Sequence, residues 1–287
     1  MNTAPYRETL LEACSVAFRA GDIPHAALPH IHDAYEIMLI LSEGVSCRIA
    51  QEVVPVPCGS LLLFNHTDLH GLTAAADSRA ERYVLYFQPM FVAHLSTLPT
   101  QLLECFSYRP ARHPQVLPLG AAQCARVRTL LDALLHTHQE PPQAYGHDLQ
   151  LQLQLASLLI CVNAYYRAYH RLNGPPPELA RFYEIVRFIP AHLDEKLTLS
   201  SLSAQFFLSP RELSRRMHSA LGMSLGEYVT QCRIAQATDA LAQGMRVQEV
   251  CARVGFENLS HFSRTFKAHT GLSPKQYAQR RREGQGV

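Results

Sequence analysis

The sequence predicts an α+β fold, with an N-terminal antiparallel β-barrel or sandwich, a helical segment and an all-α C-terminal domain. Short apolar runs separated by Gly, Pro and Asn fill residues 28–92, as is typical of antiparallel strands. Apolar residues recur at helical spacing over 119–138 and 145–172, and a helix-turn-helix pattern occurs twice after residue 178. A chain of 287 residues, of which 47% are apolar, is long enough for about two packed domains.

Composition argues against several classes of protein. No stretch approaches the ~18 consecutive apolar residues that a membrane span requires. The N-terminus "MNTAPYRETLLEACS" lacks the basic and apolar segments of a secretory signal. The eight cysteines are scattered and form no CxxC pair, so neither a disulfide framework nor a structural zinc site is indicated. We therefore expect a cytoplasmic protein with reduced thiols and no membrane partner.

Charge divides the chain into two parts. From Glu178 to the end there are 15 Lys and Arg against 10 Asp and Glu, whereas the preceding residues hold 11 against 14 and also 11 of the 15 histidines. The division coincides with "RLNGPPPELA" (171–180), in which three consecutive prolines cannot continue a helix. We predict a domain at 1–115, a helical segment at 116–172, a linker at 173–177 and a basic domain at 178–287.

The helical segment contains two predicted helices. Leucines at every second position from Leu149 to Leu155 alternate as in a strand. The apolar pattern nevertheless continues to Tyr169, through about 25 residues without a breaker, which favours a helix. Two helices with apolar faces need a partner surface. They either cover the barrel or pair across a homodimer, and the sequence leaves both alternatives open.

The first helix-turn-helix pattern begins with a helix predicted at Leu199–Phe207. Ser209 then caps a second helix whose first residue is Pro210, where the missing N–H costs nothing. That helix ends at Gly222, for which we predict a left-handed conformation. Its apolar face comprises Leu213, Met217 and Leu221, and its outer face comprises Arg211, Ser214, Arg215 and His218.

The same pattern recurs 49 residues later in "GFENLSHFSRTFKAHTGLSPKQY" (255–277), with Phe256 aligned to Phe207. Asn258 is the predicted cap, and Gly271 ends the helix. Phe262 and Phe266 face inward, and the outer face comprises Leu259, Ser260, Ser263, Arg264 and Lys267.

Two anchored helices with Arg and Ser on their outer faces suit the major groove of DNA, where arginine can donate two hydrogen bonds to guanine. Residues 225–244 are long enough for one helix that holds both at a fixed separation. Successive major grooves on one face of a duplex lie roughly 34 Å apart. The duplication therefore predicts one chain that reads two successive major grooves.

Residues Phe182 to Arg282 resemble the DNA-binding domain of AraC/XylS-type transcription regulators, on the motifs "LTLSSLSAQFFLSPRELSRRM", "GMSLGEYVTQCRIAQA" and "VGFENLSHFSRTFKAHTGLSPKQY". The resemblance implies a seven-helix domain whose third and sixth helices enter the grooves, and an activator rather than a repressor. The positions that it assigns to DNA are Arg211, Ser214, Arg215, Leu259, Ser260, Ser263 and Arg264. The chain departs from the family at Ser203, Met217 and His261. We expect the first two departures to loosen the packing of the first helix-turn-helix pattern.

A second constellation combines "HIHDAYE" (30–36) with "GSLLLFNHTDLH" (59–70). In a strand His30 and His32 project to the same side, and Glu36 has the same parity. This pair of segments resembles the motif pair of cupins, with His70 in the second motif. The resemblance implies a cupin-like domain with a pocket of His30, His32, Glu36 and His70. The pocket would hold an organic effector, with a sugar favoured, or a divalent transition metal; the alternative is that the four groups only satisfy one another.

The leading hypothesis is a DNA-binding transcription regulator that is not an enzyme and requires no cofactor. Domain 1–115 would bind a small-molecule effector, 116–172 would form a homodimer, and 178–287 would bind double-stranded DNA and influence RNA polymerase. The alternative is a metal-dependent cupin enzyme or metal sensor fused to a DNA-binding domain. A redox sensor built on Cys47 and Cys58 is a third reading, which buried structural thiols explain more simply.

Overall fold

The computed structural model describes residues 6–8, 12–23, 29–74, 79–97, 99–110, 112–174 and 177–282. The chain divides into two compact units, one of residues 1–176 with 219–222 and the other of residues 177–218 with 223–287. Pro175 and Pro176 of the predicted linker lie outside the described residues, and Pro177 already begins a helix. Among the described helices, none is sufficiently long and apolar to cross a bilayer.

The described part of the first unit forms two five-stranded sheets. The described strands are β1 (Tyr6–Glu8), β2 (Cys14–Asp22), β3 (His30–His32), β4 (Tyr35–Ile40), β5 (Val45–Ile49), β6 (Glu52–Val56), β7 (Ser60–Phe64), β8 (His70–Ala74), β9 (Arg79–Phe87) and β10 (Val116–Pro118). One sheet has the order β1-β3-β8-β5-β6 and the other β10-β7-β4-β9-β2. All described pairs are antiparallel except β1 with β3. Residues of both sheets share one apolar core, which confirms the predicted antiparallel β-rich fold.

Within the described residues of the first unit, four helices accompany the sheets, at α1 (Met90–Ala93), α2 (Glu104–Ser107), α3 (Ala121–Gln139) and α4 (His147–Tyr169). The two long helices confirm the helical interpretation of this segment, while α1 and α2 were not predicted. Asn163 of α4 accepts a hydrogen bond from the backbone N–H of Cys105 at 2.9 Å and donates one to the carbonyl of Leu102 at 2.8 Å. Helix α3 packs on β2, and α4 packs on α1 and α2. The helices therefore cover the sheet that contains β2.

The described residues of the second unit form helices and the turns between them. Seven α-helices occur in this described part, at α5 (Pro177–Phe188), α6 (Leu199–Phe206), α7 (Pro210–Leu221), α8 (Leu225–Ala242), α9 (Val247–Arg253), α10 (Leu259–Thr270) and α11 (Pro274–Arg282), with a 3-10 turn at Ile189–Ala191. The predicted caps are present, because Ser209 accepts from the backbone of Glu212 and Asn258 from that of His261. Gly222 and Gly271 end their helices with φ of 76° and 75°, as predicted.

The two helix-turn-helix patterns differ by one residue at the turn. Phe207 has a left-handed φ of 55° and is 81% exposed, whereas Phe256 is 8% exposed. In the second copy the left-handed residue is Gly255, and Leu208 is the buried residue of the first turn. The alignment of Phe207 with Phe256 is therefore wrong: the second turn is one residue longer, and the two copies return to register only at their caps.

Candidate functional sites

The structure brings together the four residues of the predicted pocket, which we call the histidine cluster (His30, His32, Glu36 and His70). His32, Glu36 and His70 are buried and His30 is partly exposed. One ring nitrogen from each imidazole lies within 4.8 Å of the others. The Glu36 carboxylate reaches them, with its Oε2 atom 2.7 Å from Nε2 of His70 and 3.3 Å from Nε2 of His32.

The cluster is assembled across the two sheets rather than along one strand. A bend at residues 33–34 separates β3 from β4, and these strands belong to different sheets. His30 is the cross-strand neighbour of His70 in one sheet, while Glu36 approaches from the other. The sequence argument therefore named the correct residue, Glu36, but its premise was incorrect, because Glu36 does not lie on the same strand as His30 and His32.

The protonation state of the His70–Glu36 pair follows from its contacts. His70 donates through Nδ1 to the carbonyl oxygen of Asp68 at 2.8 Å and through Nε2 to Glu36 at 2.7 Å. Burial lowers the pKa of His70, but the bonds to Glu36 and Asp68 outweigh it and raise that pKa. Burial likewise raises the pKa of Glu36, but bonds from His32 and His70 bring it down to about 2. These contacts favour the imidazolium form of His70 and the carboxylate form of Glu36.

A short turn before β8 fixes the orientation of His70. The Asp68 carboxylate accepts hydrogen bonds from the backbone of Asn65 at 2.9 Å and from the side chains of Arg109 at 2.8 Å and Gln115 at 2.9 Å. The carbonyl of Asp68 therefore has a fixed position, and the His70 ring is also stacked on Phe64 with centroids 3.8 Å apart. In the neutral form, an Nδ1–H donated to this carbonyl would leave the Nε2 lone pair facing the cluster, as in metal-bound histidines.

Three further residues, His66 and the two cysteines of the redox reading, are not members of the cluster. His66 stacks on Tyr35, with ring centroids 5.8 Å apart. Burial raises the pKa of Cys47 to about 12, so this residue remains a thiol at neutral pH, while Cys58 is exposed. These environments disfavour the redox reading.

The outer face of α7 presents most of its predicted DNA-contacting residues to solvent. Leu213 and Met217 are fully buried and anchor the helix. Arg211 and Arg215 are exposed and Ser214 is half-buried. Met217, where the related family has Phe, is as fully buried as Phe266 at the corresponding position of α10.

The outer face of α10 has the same character. Phe262 and Phe266 are fully buried, and four of the predicted contact residues are exposed while Ser263 is half-buried. The four exposed residues are Leu259, Ser260, Arg264 and Lys267. The 18-residue helix α8 connects the two helix-turn-helix units, and at ~1.5 Å per residue it is about 27 Å long.

One residue of this surface was missed from the sequence. Glu212, in the first turn of α7, accepts two hydrogen bonds from Arg215 and lies 2.5 Å from Nε of Arg216. The signal was available, since Glu at i with Arg at i+3 and i+4 is the spacing that pairs side chains on a helix.

Comparison with known proteins finds two family models along the chain. The model described as an AraC-like ligand binding domain matches residues 14–159, and a helix-turn-helix domain matches residues 202–280. The HTH-type transcriptional activator RhaS of Escherichia fergusonii is 24% identical over 264 residues, covering 90% of each chain.

Solved structures with similarity include ToxT from Vibrio cholerae bound to an unsaturated fatty acid. It has a TM-score of 0.38 and 14% identity, and the match covers 92% of this chain and 94% of that one. A DNA-binding transcriptional dual regulator from Escherichia coli K-12 matches with a TM-score of 0.34 and 20% identity, over 39% of this chain and 97% of that one.

Proposed function

This chain belongs to the AraC family of DNA-binding transcription regulators with a ligand-binding domain, and from that premise we propose that it is a homodimeric activator controlled by a small effector in the histidine cluster. Helices α7 and α10 enter successive major grooves at a promoter, and the DNA-bound dimer contacts RNA polymerase. We propose activation rather than repression because the relatives are named transcriptional activators.

The observation that supports this most directly is the pair of anchored helices. Each has a side-chain cap, a buried apolar face and an exposed face with Arg and Ser, and helix α8 connects the two helix-turn-helix units to which they belong. Arginine can distinguish guanine in the major groove through two parallel hydrogen bonds. A rigid connection keeps both helices in a fixed register along one duplex.

We expect Arg264→Ala to reduce discrimination at one base pair of the second half-site by about 1–3 kcal/mol, because the bidentate contact to guanine is lost. Selection from randomised DNA sites would measure this change. The matched control is Arg187→Ala, which removes an exposed arginine from α5. Base preferences that are the same in Arg264→Ala and the unmodified chain would remove Arg264 from the recognition surface.

For the effector, the chemistry of the histidine cluster favours a small molecule with hydroxyl groups, such as a sugar. The buried ionised pair of His70 and Glu36 offers strong donors and acceptors, and the rings of His30 and His32 lie beside it. Binding would act on DNA affinity only through a difference in effector affinity between two states of the dimer.

A divalent transition metal is the second candidate for the same cluster. The observation in its favour is the close approach of three imidazole nitrogens beside a carboxylate, a donor set suited to Fe, Mn, Ni, Cu or Zn. His30, His32, Glu36 and His70 would hold the ion after His70 loses its proton. The metal would supply a Lewis-acidic centre to which an effector could bind.

For the homodimer, α4 provides an exposed apolar stripe. Leu149, Leu153 and Ile160 are 53%, 55% and 51% exposed, and their spacing places them on one side of the helix. Ala164 is exposed and continues the stripe, while the opposite side of α4 is buried in the first unit. Apolar side chains aligned on a helix surface are typical of helix pairing between subunits.

We expect the double variant Leu153→Glu/Ile160→Glu to be monomeric at concentrations where the unmodified chain is dimeric, because four added carboxylates would meet in the interface. Sedimentation velocity would measure the change, and DNA affinity should fall with the loss of avidity. The control Gln150→Glu/Ala168→Glu adds the same charges at exposed positions outside the stripe. A double variant that remains dimeric would assign dimerisation to another surface.

A further inference from the structure

On the outer face of helix α7, the carboxylate of Glu212 contacts two arginine side chains. Arg215 donates from Nε to Oε2 of Glu212 at 2.9 Å and from Nη2 to Oε1 at 2.7 Å. The Nε atom of Arg216 lies 2.5 Å from the same Oε1 atom. Glu212 is itself fixed in the first turn, because its backbone N–H donates to the Ser209 hydroxyl at 3.1 Å.

The ion pair leaves the recognition edge of Arg215 available. A guanidinium has five N–H donors in one plane, and the contact with Glu212 uses the Nε donor and one donor of Nη2. The remaining donors, on Nη1 and Nη2, point away from the carboxylate along the far edge. This edge can present two parallel N–H groups, the arrangement that binds O6 and N7 of guanine. The Arg215 side chain as a whole is 60% exposed.

An exposed ion pair at i, i+3 on a helix generally contributes little to stability. This one differs because one carboxylate is shared by two guanidinium groups, and the Arg216 and Glu212 side chains are only 15% and 26% exposed. The bonds from Arg215 lower the pKa of Glu212, so the carboxylate stays ionised at neutral pH. The two bonds from Arg215 to the shared carboxylate give its guanidinium a defined orientation.

Helix α10 has no acidic residue that could pair with its arginine in this way. Its sequence from Leu259 to Thr270 contains no Asp or Glu, and His261 occupies the position that corresponds to Glu212. Among the described residues Arg264 has no ion-pair partner. The two helices therefore present their arginines differently, since the Arg215 guanidinium is held by a carboxylate and Arg264 has no ion-pair partner among the described residues.

We propose that Glu212 is a positioning residue for sequence specificity, which fixes the Arg215 guanidinium for one base pair of the first half-site. The inference rests on the proposed function, in which α7 enters a major groove. A fixed plane loses less rotational freedom on binding the correct base, and it cannot rotate to bond an incorrect one. The carboxylate also reduces attraction to phosphates, which lowers the affinity for DNA of any sequence.

The test is Glu212→Gln in the full-length chain, with binding measured to the selected site, to sites changed at single base pairs and to random-sequence DNA. We expect discrimination at the Arg215 base pair to fall about tenfold, which is within the range for a bidentate contact. We also expect affinity for random-sequence DNA to rise, since a negative charge is removed. The control Glu184→Gln makes the same change of charge on the exposed face of α5 and should leave discrimination unchanged.

Three results would overturn the inference. Unchanged discrimination in Glu212→Gln would show that Arg215 needs no positioning. An equal loss at all base pairs of both half-sites would show that Glu212 is only structural. Arg215→Ala identifies the base pair concerned, and if it alters no preference in either half-site, the proposed role of α7 fails together with that of Glu212.

Discussion

We expect Gly255→Ala to disrupt the second helix-turn-helix and to lower its local free energy of unfolding by about 4 kcal/mol. Losses of this size result from conflicts with the backbone or the core. Gly255 has a φ of 77°, and a Cβ atom there would overlap the carbonyl oxygen of Leu193 and lie 2.8 Å from Nη2 of Arg233. That carbonyl accepts bonds from Nε and Nη2 of Arg233 at 3.1 and 2.8 Å. The methyl group would therefore separate the turn before α10 from the chain segment that supports it.

Gly271→Ala is the matched control for this effect. Gly271 has nearly the same φ, 75°, but a Cβ atom there would meet nothing within 4 Å. Its substitution should cost only the ~1–2 kcal/mol of a left-handed residue with a side chain. Hydrogen exchange along α9, α10 and α11 would separate the two, with protection lost in Gly255→Ala and largely kept in Gly271→Ala. Equal losses would show that φ alone governs both positions, and that the contact with Leu193 is unimportant.

The helical unit was largely predictable because its signals are local. Caps, helix-ending glycines and the apolar spacing of Leu213, Met217, Phe262 and Phe266 depend on residues within one or two turns of one another. The error at Phe207 has a different origin. The two motifs have similar residues but turns of different length, so an alignment without a gap pairs Phe207 with Phe256. A left-handed conformation is also uncommon for a residue as bulky as Phe207, so no sequence signal predicts it.

The β-rich unit was predictable in class and less so in detail. Strands β4 and β7 are buried along their whole length, so they show apolar runs with no alternation to mark which face each residue occupies. The placement of Glu36 opposite β3 depends on how the two sheets stack, which is a non-local property. Recognition of the motif pair identified the members of the cluster, but parity along one strand could not give its geometry.

The largest functional effect should come from the histidine cluster. We expect His32→Gln/His70→Gln to abolish ligand binding by the first unit while leaving DNA binding without effector intact. Glutamine keeps an N–H donor for the buried carboxylate of Glu36, so the unit should remain folded, but its amide is a poor ligand for a transition metal and cannot be an imidazolium donor. Native mass spectrometry with elemental analysis of the purified protein would report an organic ligand or a metal ion.

The two candidate functions of the cluster give different results in that measurement. A bound organic mass without metal supports the effector pocket, and a metal at one ion per chain supports the metal site; either should disappear in the double variant. The control His94→Gln/His136→Gln changes two exposed histidines and should retain whatever the unmodified chain binds. If the double variant keeps the same ligand, the pocket lies elsewhere. If the unmodified chain binds neither after incubation with metals and sugars, both proposals are contradicted, because the imidazoles and the carboxylate then only satisfy one another.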